Sequence, residues 1–146
     1  FLHSPVQLID ELLPLMRAKS WGRVINVSSG YGALSCVPAS SSYRRTLDNA
    51  LQSLAAARAA SDVWAARDTL LRELGVFKEA DVMAGQHVGI YKVTKAALNT
   101  VTRLYAAALQ FEGVGSHVQW LAVDPGWVRT DMYMMNPSKR VSSDNH

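Results

Sequence analysis

Arg23-Val24-Ile25-Asn26-Val27-Ser28 is the stretch on which the fold turns. It is a short β-branched run bounded by turn residues, and its hydrophobic density suits a buried strand of a parallel sheet. Upstream, Leu8, Leu12 and Leu15 recur at helical spacing with Ile9, Leu13 and Met16 beside them, which predicts an amphipathic helix. Ser4-Pro5-Val6-Gln7 reads as its start, with Ser4 as N-cap, Pro5 in the first helical position and Gln7 completing a capping box. Ser20-Trp21-Gly22 ends it.

Downstream, Ser29 to Pro38 is small and polar and reads as a loop. The stretch 38–90 reads as a helical insertion. Leu47, Leu51 and Leu54 form one stripe; Val63, Leu70 and Leu74 form another, closed by Gly75. Its Ala-rich middle, Leu54 to Ala60, favours helix but specifies little packing. After Gly89 a further helix turns Ala97, Val101, Leu104 and Ala108 inward and stops at Gly113. His117 to Val123 is a second strand, ending abruptly at Asp124-Pro125-Gly126. Strands alternating with helices predict βαβ units: an α/β fold with a parallel sheet and helices on both faces. Ligands of such sheets bind beyond the carboxyl ends of the strands, where Ser28-Ser29 and Asp124-Pro125-Gly126 both fall.

The length of 146 residues fits one domain, and 49% hydrophobic residues with 18% charged excludes a disordered or collagen-like chain. Fifteen Lys and Arg against twelve Asp and Glu give a net charge of only +3. That charge is spread along the chain, and 38–90 balances to zero, so a nucleic-acid partner is not expected. No apolar run approaches the roughly 18 residues of a membrane span. A single cysteine, Cys36, makes no internal disulfide, which favours a reducing, cytoplasmic compartment. Cys36, His3, His87 and His117 lack metal-ligand spacing, so no metal is expected. The chain opens on Phe1 without Met or signal peptide and stops at Asn145-His146 without a closing element; it reads as part of a longer protein.

Tyr91 and Lys95 stand four apart and share one helix face. A lone pair of this kind is ordinarily an amphipathic tyrosine beside a solvated lysine. Here it falls between a strand ending in Val27-Ser28-Ser29 and one followed by Pro125-Gly126-Trp127-Val128-Arg129-Thr130-Asp131-Met132. Together these residues resemble the short-chain dehydrogenase/reductase family: its serine strand, its Tyr-x-x-x-Lys motif in Tyr91-Lys92-Val93-Thr94-Lys95, and its cofactor loop. The run Pro-Gly-Trp-Val-Arg-Thr-Asp-Met is similar to the carbonyl-reductase branch, as are the 62 positions between Ser29 and Tyr91, where that branch carries a helical insertion.

The resemblance implies a Rossmann-like doubly wound parallel sheet, incomplete at both ends, with residues 1–146 as the catalytic half of a single domain and 38–90 inserted in it. It implies NADPH-dependent carbonyl reduction, with hydride passing between nicotinamide and a ketone, aldehyde or quinone; NAD(H) is the alternative cofactor. A proton donor is needed at the developing alkoxide. A tyrosine hydroxyl holds its proton to a pH of about 10, and a neighbouring ammonium favours the phenolate. Tyr91 would be the acid/base, Lys95 its electrostatic partner and a ribose contact, and Ser29 the group that holds and polarises the carbonyl. Ser28 is otherwise a strand-end hydroxyl satisfying backbone.

By the same resemblance Pro125, Gly126 and Val128 meet the nicotinamide, with Gly126 permitting close approach, and Thr130 reaches the pyrophosphate. Trp127 lines the substrate pocket or packs in the core. Met132, Tyr133, Met134 and Met135 form a substrate-covering segment or apolar filler. The family's Gly-rich pyrophosphate turn is absent from residues 1–146, and its asparagine on the preceding helix falls at or before Phe1. Residues 1–146 alone are therefore expected not to bind NADPH, and the whole enzyme is expected to be a monomer. Two other readings stand: an inactive fragment or pseudoenzyme serving as a binding module, and a helical interaction domain docking through the insertion.

Overall fold

The computed structural model describes residues 2–75, 87–115, 117–126 and 128. Helix α1 (His3–Ala18) leads into strand β1 (Gly22–Val27), followed by two short 3-10 turns at Gly30–Gly32 and Leu34–Cys36. Helices α2 (Ser42–Ala56), α3 (Ala60–Leu74) and α4 (His87–Phe111) then precede strand β2 (Val118–Val123). The strands pair in parallel, in register from Gly22 opposite Val118 to Val27 opposite Val123. The chain is thus a mixed α/β unit whose two parallel strands are joined through helices α2, α3 and α4, consistent with part of a Rossmann-like sheet.

The core lies on one face of that sheet. Val24 and Val118 pack there against α4, whose Ala97, Val101, Leu104 and Ala108 are all buried as their spacing predicts. The opposite face carries Ile25, Val27 and Leu121, which are 52%, 56% and 44% exposed. Helices on both faces were expected; among the described residues they cover one. The strands are apolar on both faces, a pattern suited to burial on both sides.

Helix α1 buries Val6, Ile9 and Leu13, with Leu2 just before it also buried and Met16 packed against the same core. Leu8, Leu12 and Leu15 stay exposed. Two apolar stripes lie side by side on this helix, and tertiary packing selects the one carrying Ile9. The predicted cap is not used: α1 begins at His3 after Leu2, with no side-chain cap bond. Pro5 sits in the first turn, where backbone N–H groups have no intrahelical partner to lose.

The Ala-rich segment breaks instead of running on. Ala57 leaves the helical region at ψ 139°, and the Asp62 carboxylate accepts the N–H groups of Arg58 (2.8 Å) and Ala59 (3.1 Å). A carboxylate that gathers free donors at a helix start outweighs the weak propensity of alanine to continue. The predicted stripes hold: Leu47, Val63, Leu70 and Leu74 are buried, Leu54 packs against that core and Leu51 is half-buried. Among the described residues no helix is long and apolar enough to cross a membrane, and no cluster of His, Cys, Asp or Glu could hold a metal.

Candidate active site

At the carboxyl end of β1 the backbone N–H of Ser28 donates to Val123 O (2.7 Å), the last rung of the ladder. The chain then leaves the sheet at Ser29, in extended conformation with φ −166°. The Ser29 carbonyl accepts the N–H of Gly32 (2.7 Å) and its Oγ accepts the N–H of Tyr31 (3.2 Å), so Ser29 opens the 3-10 turn. The neighbouring serine behaves differently. Ser28 is buried and its Oγ has no partner among the described residues, where the expected bond to backbone is not made.

Helix α4 brings Tyr91 and Lys95 to this turn. Lys95 Nζ donates to Val27 O (2.7 Å) and stands 5.7 Å from the centroid of the Tyr91 ring. A lysine ammonium has three donors, so others remain for further acceptors. Tyr91 is 40% exposed. The ring of Tyr31 meets it edge-on at 6.5 Å, and Lys92 Nζ lies 5.6 Å from the Tyr31 ring. The segment after β2 closes the arrangement. Asp124 Oδ1 accepts the N–H of Gly126 (3.0 Å), and Asp124 Oδ2 lies 2.9 Å from where a Cβ on Gly30 would stand.

The structure therefore brings Ser29, Tyr91 and Lys95 together with Pro125 and Gly126 at the carboxyl edge of the sheet. Gly126 has φ +67°, and no described residue lies within 4 Å of where its side chain would begin. Val128 is exposed. Trp127, Thr130 and the segment from Met132 to Met135 lie outside the described residues.

Sequence reasoning missed several residues that shape this edge. Asn99 Nδ2 donates to Gly32 O (3.0 Å), and Asn26 Nδ2 donates to Thr102 Oγ1 (2.8 Å). Arg44, on the insertion, pairs with Asp48 and also donates to the carbonyls of Leu34 (2.8 Å) and Val37 (3.2 Å), gripping the loop that follows the site. Asn99 continues the line from Tyr91 through Lys95 by one further turn of helix, but nothing in the sequence names its partner, Gly32, 67 residues away.

The far end of α4 holds a second polar cluster, built for attachment. Tyr105 stacks on Trp120 (4.9 Å, 7°) and meets Trp64 edge-on at 5.4 Å. Its hydroxyl donates to Asp10 (2.5 Å) and accepts from Arg67 (3.0 Å). Burial, joined by that bond to Asp10, pushes the Tyr105 hydroxyl far above its ordinary pKa. For Arg67 burial opposes the charge, but the bond to Asp68 and the proximity of Tyr105 and Asp10 hold its pKa above the ordinary value. Arg17 bridges to Glu112, which also accepts the indole N–H of Trp64 (2.8 Å). This cluster ties α3 to α1 and α4.

The chain is similar to curated carbonyl reductases. It is 31% identical over 128 residues to "Carbonyl reductase [NADPH] 1" of Sus scrofa, covering 84% of this chain and 39% of that protein. It is 32% identical over 139 residues to the protein of the same name from Oryctolagus cuniculus, covering 88% and 43%. The chain thus spans about two fifths of the length of these relatives. No family model matches it, and no solved structure matches it significantly.

Proposed function

We propose that this chain is the catalytic half of an NADPH-dependent carbonyl reductase of the short-chain dehydrogenase/reductase type, with 38–90 as a helical insertion in a single Rossmann-like domain. The observation that carries the reading is the meeting of Tyr91, Lys95 and the Ser29 turn at the carboxyl edge of a parallel sheet, joined by the bond from Lys95 Nζ to Val27 O (2.7 Å). The similarity to carbonyl reductases adds independent support.

NADPH, when bound, supplies the hydride. The residues present suit a nicotinamide: Pro125 and Gly126 are exposed, no described residue crowds Gly126, and Lys95 Nζ stands 5.7 Å from the Tyr91 ring with donors beyond its one bond. Pro125, Gly126 and Val128 would form the flat wall against the ring, Thr130 would reach the pyrophosphate, and Lys95 would hold the ribose. Ser29 would accept the substrate carbonyl on its hydroxyl and polarise it; Trp127 would line the pocket. Tyr91 then gives its proton to the oxygen as negative charge develops there, with the Lys95 ammonium stabilising the phenolate that results. The carbonyl substrate is a ketone, aldehyde or quinone. The insertion lies against α4 and is expected to keep the enzyme monomeric, in the cytoplasm.

Tyr91→Phe tests this in the protein that carries the chain. It removes the proton donor and keeps the ring, so turnover should fall by about 100-fold or more while affinity for NADPH changes little. Lys95→Ala should harm both turnover and cofactor affinity. Near-normal turnover in Tyr91→Phe would overturn the assignment.

A further inference from the structure

Tyr91, Lys95, Asn99 and Thr102 follow one line along α4, and its last members bond in turn to β1 and the turn beyond it. Lys95 reaches Val27 O (2.7 Å), Asn99 reaches Gly32 O (3.0 Å) and Thr102 accepts from Asn26 (2.8 Å). Asn99 is the member that holds the turn containing Ser29. Gly32, whose carbonyl accepts the Asn99 amide, gives its own N–H to the Ser29 carbonyl (2.7 Å). Two hydrogen bonds therefore run from the helix to the backbone of Ser29.

The contact is close. A Cβ on Gly32 would lie 2.8 Å from Asn99 Nδ2, 2.8 Å from Ser28 Oγ and 3.1 Å from the Lys95 carbonyl carbon. The other end of the amide gains nothing: Asn99 Oδ1 is buried without a partner among the described residues, as is Ser28 Oγ. An unpaired buried carbonyl is costly, and an apolar side chain of similar size would avoid it. Packing alone gives no reason for an amide here, whereas the bond it donates does.

We infer that Asn99 is a positioning residue, clamping the Ser29–Gly32 turn to α4 and so setting the Ser29 hydroxyl against Tyr91 on the same helix. This rests on the roles proposed for Ser29 and Tyr91. A shift of about 1 Å between the group that holds the carbonyl and the group that protonates it is enough to cost about a hundredfold in rate.

The test uses the protein that carries this chain, with NADPH and a 1,4-naphthoquinone as probe. Asn99→Leu should lower kcat by about a hundredfold, with the KM for NADPH within about twofold and a thermal midpoint no lower than the parent's. Asn99→Asp keeps the shape but turns an oxygen toward Gly32 O. Its turnover should be equally poor at neutral pH and recover relative to the parent as the medium is acidified, because a protonated carboxyl can again donate. A purely structural role would not produce that pH dependence. The inference is overturned if Asn99→Leu keeps kcat within about threefold, if losses in kcat simply track losses in melting temperature, or if neither variant folds, since Asn99 would then hold the fold. A parent protein unable to reduce the quinone with NADPH would sink the functional reading itself, and this inference with it; an active parent with an active Asn99→Leu sinks the inference alone.

Discussion

The two ends of α4 show what one helix does with polar side chains for two different purposes. At its start, Lys95 and Asn99 each reach a single backbone carbonyl, Tyr91 is partly exposed, and buried polar atoms on Ser28 and Asn99 have no partner among the described residues. At its finish, Tyr105 is enclosed by Trp64, Trp120, Arg67 and Asp10, and its ring stacks while its hydroxyl both donates and accepts; the Trp120 indole N–H beside it is buried without a partner among the described residues. Unpaired groups and exposed aromatics cost stability, and sites of chemistry are where such costs are kept. The aromatic end offsets them by fastening α3 and α1 to the helix through Arg67, Asp10 and Trp64.

The contrast breaks most visibly in a crossed pair of substitutions. Tyr91→Phe should leave the melting temperature nearly unchanged while turnover collapses; Tyr105→Ala should destabilise by about 3–5 kcal/mol through an aromatic cavity in the core. Chemical denaturation and steady-state rates on both proteins would separate the two roles, and a strong loss of stability in Tyr91→Phe would erase the distinction. Next comes pH. The folded state keeps the proton on Tyr105 to higher pH than the unfolded chain does, so the unfolded chain releases it first. Stability should be fully present below pH about 10 and fall as pH rises beyond it. Urea melts across that range should show the slope, and Tyr105→Phe should flatten it. The smallest effect tests the attachment of the insertion. Asp62→Ala removes the carboxylate that gathers the N–H groups of Arg58 and Ala59, and should cost about 1 kcal/mol with no change in turnover.

Much of the fold was legible because periodicity reports burial directly. The inward line Ala97, Val101, Leu104 and Ala108, the strand pair and the stripes of α2 and α3 all follow from spacing. What misled was local chemistry with more than one outlet. Ser4 has the residue type of a cap, and α1 starts without using it. Leu8, Leu12 and Leu15 form as good a stripe as the one that is buried. At the site, Tyr91, Lys95 and Ser29 could be picked out as a pattern, whereas Asn99, Tyr31 and Arg44 could not. Their partners lie in other elements: the distance in sequence from Asn99 to Gly32 is 67 residues.

The sequence by itself determined the element types and their order, since apolar spacing and turn residues act over a few positions and need no distant partner. It also carried the Tyr91 and Lys95 spacing, because four residues on a helix are one turn wherever the helix lies. Only the tertiary structure decided which face of α1 is buried, which side of the sheet the helices cover, and that Asn99 and Lys95 clasp the end of β1. Those outcomes depend on which surfaces and backbone groups meet across the fold, and a hydrogen bond between groups tens of residues apart exists only once the chain has closed on itself.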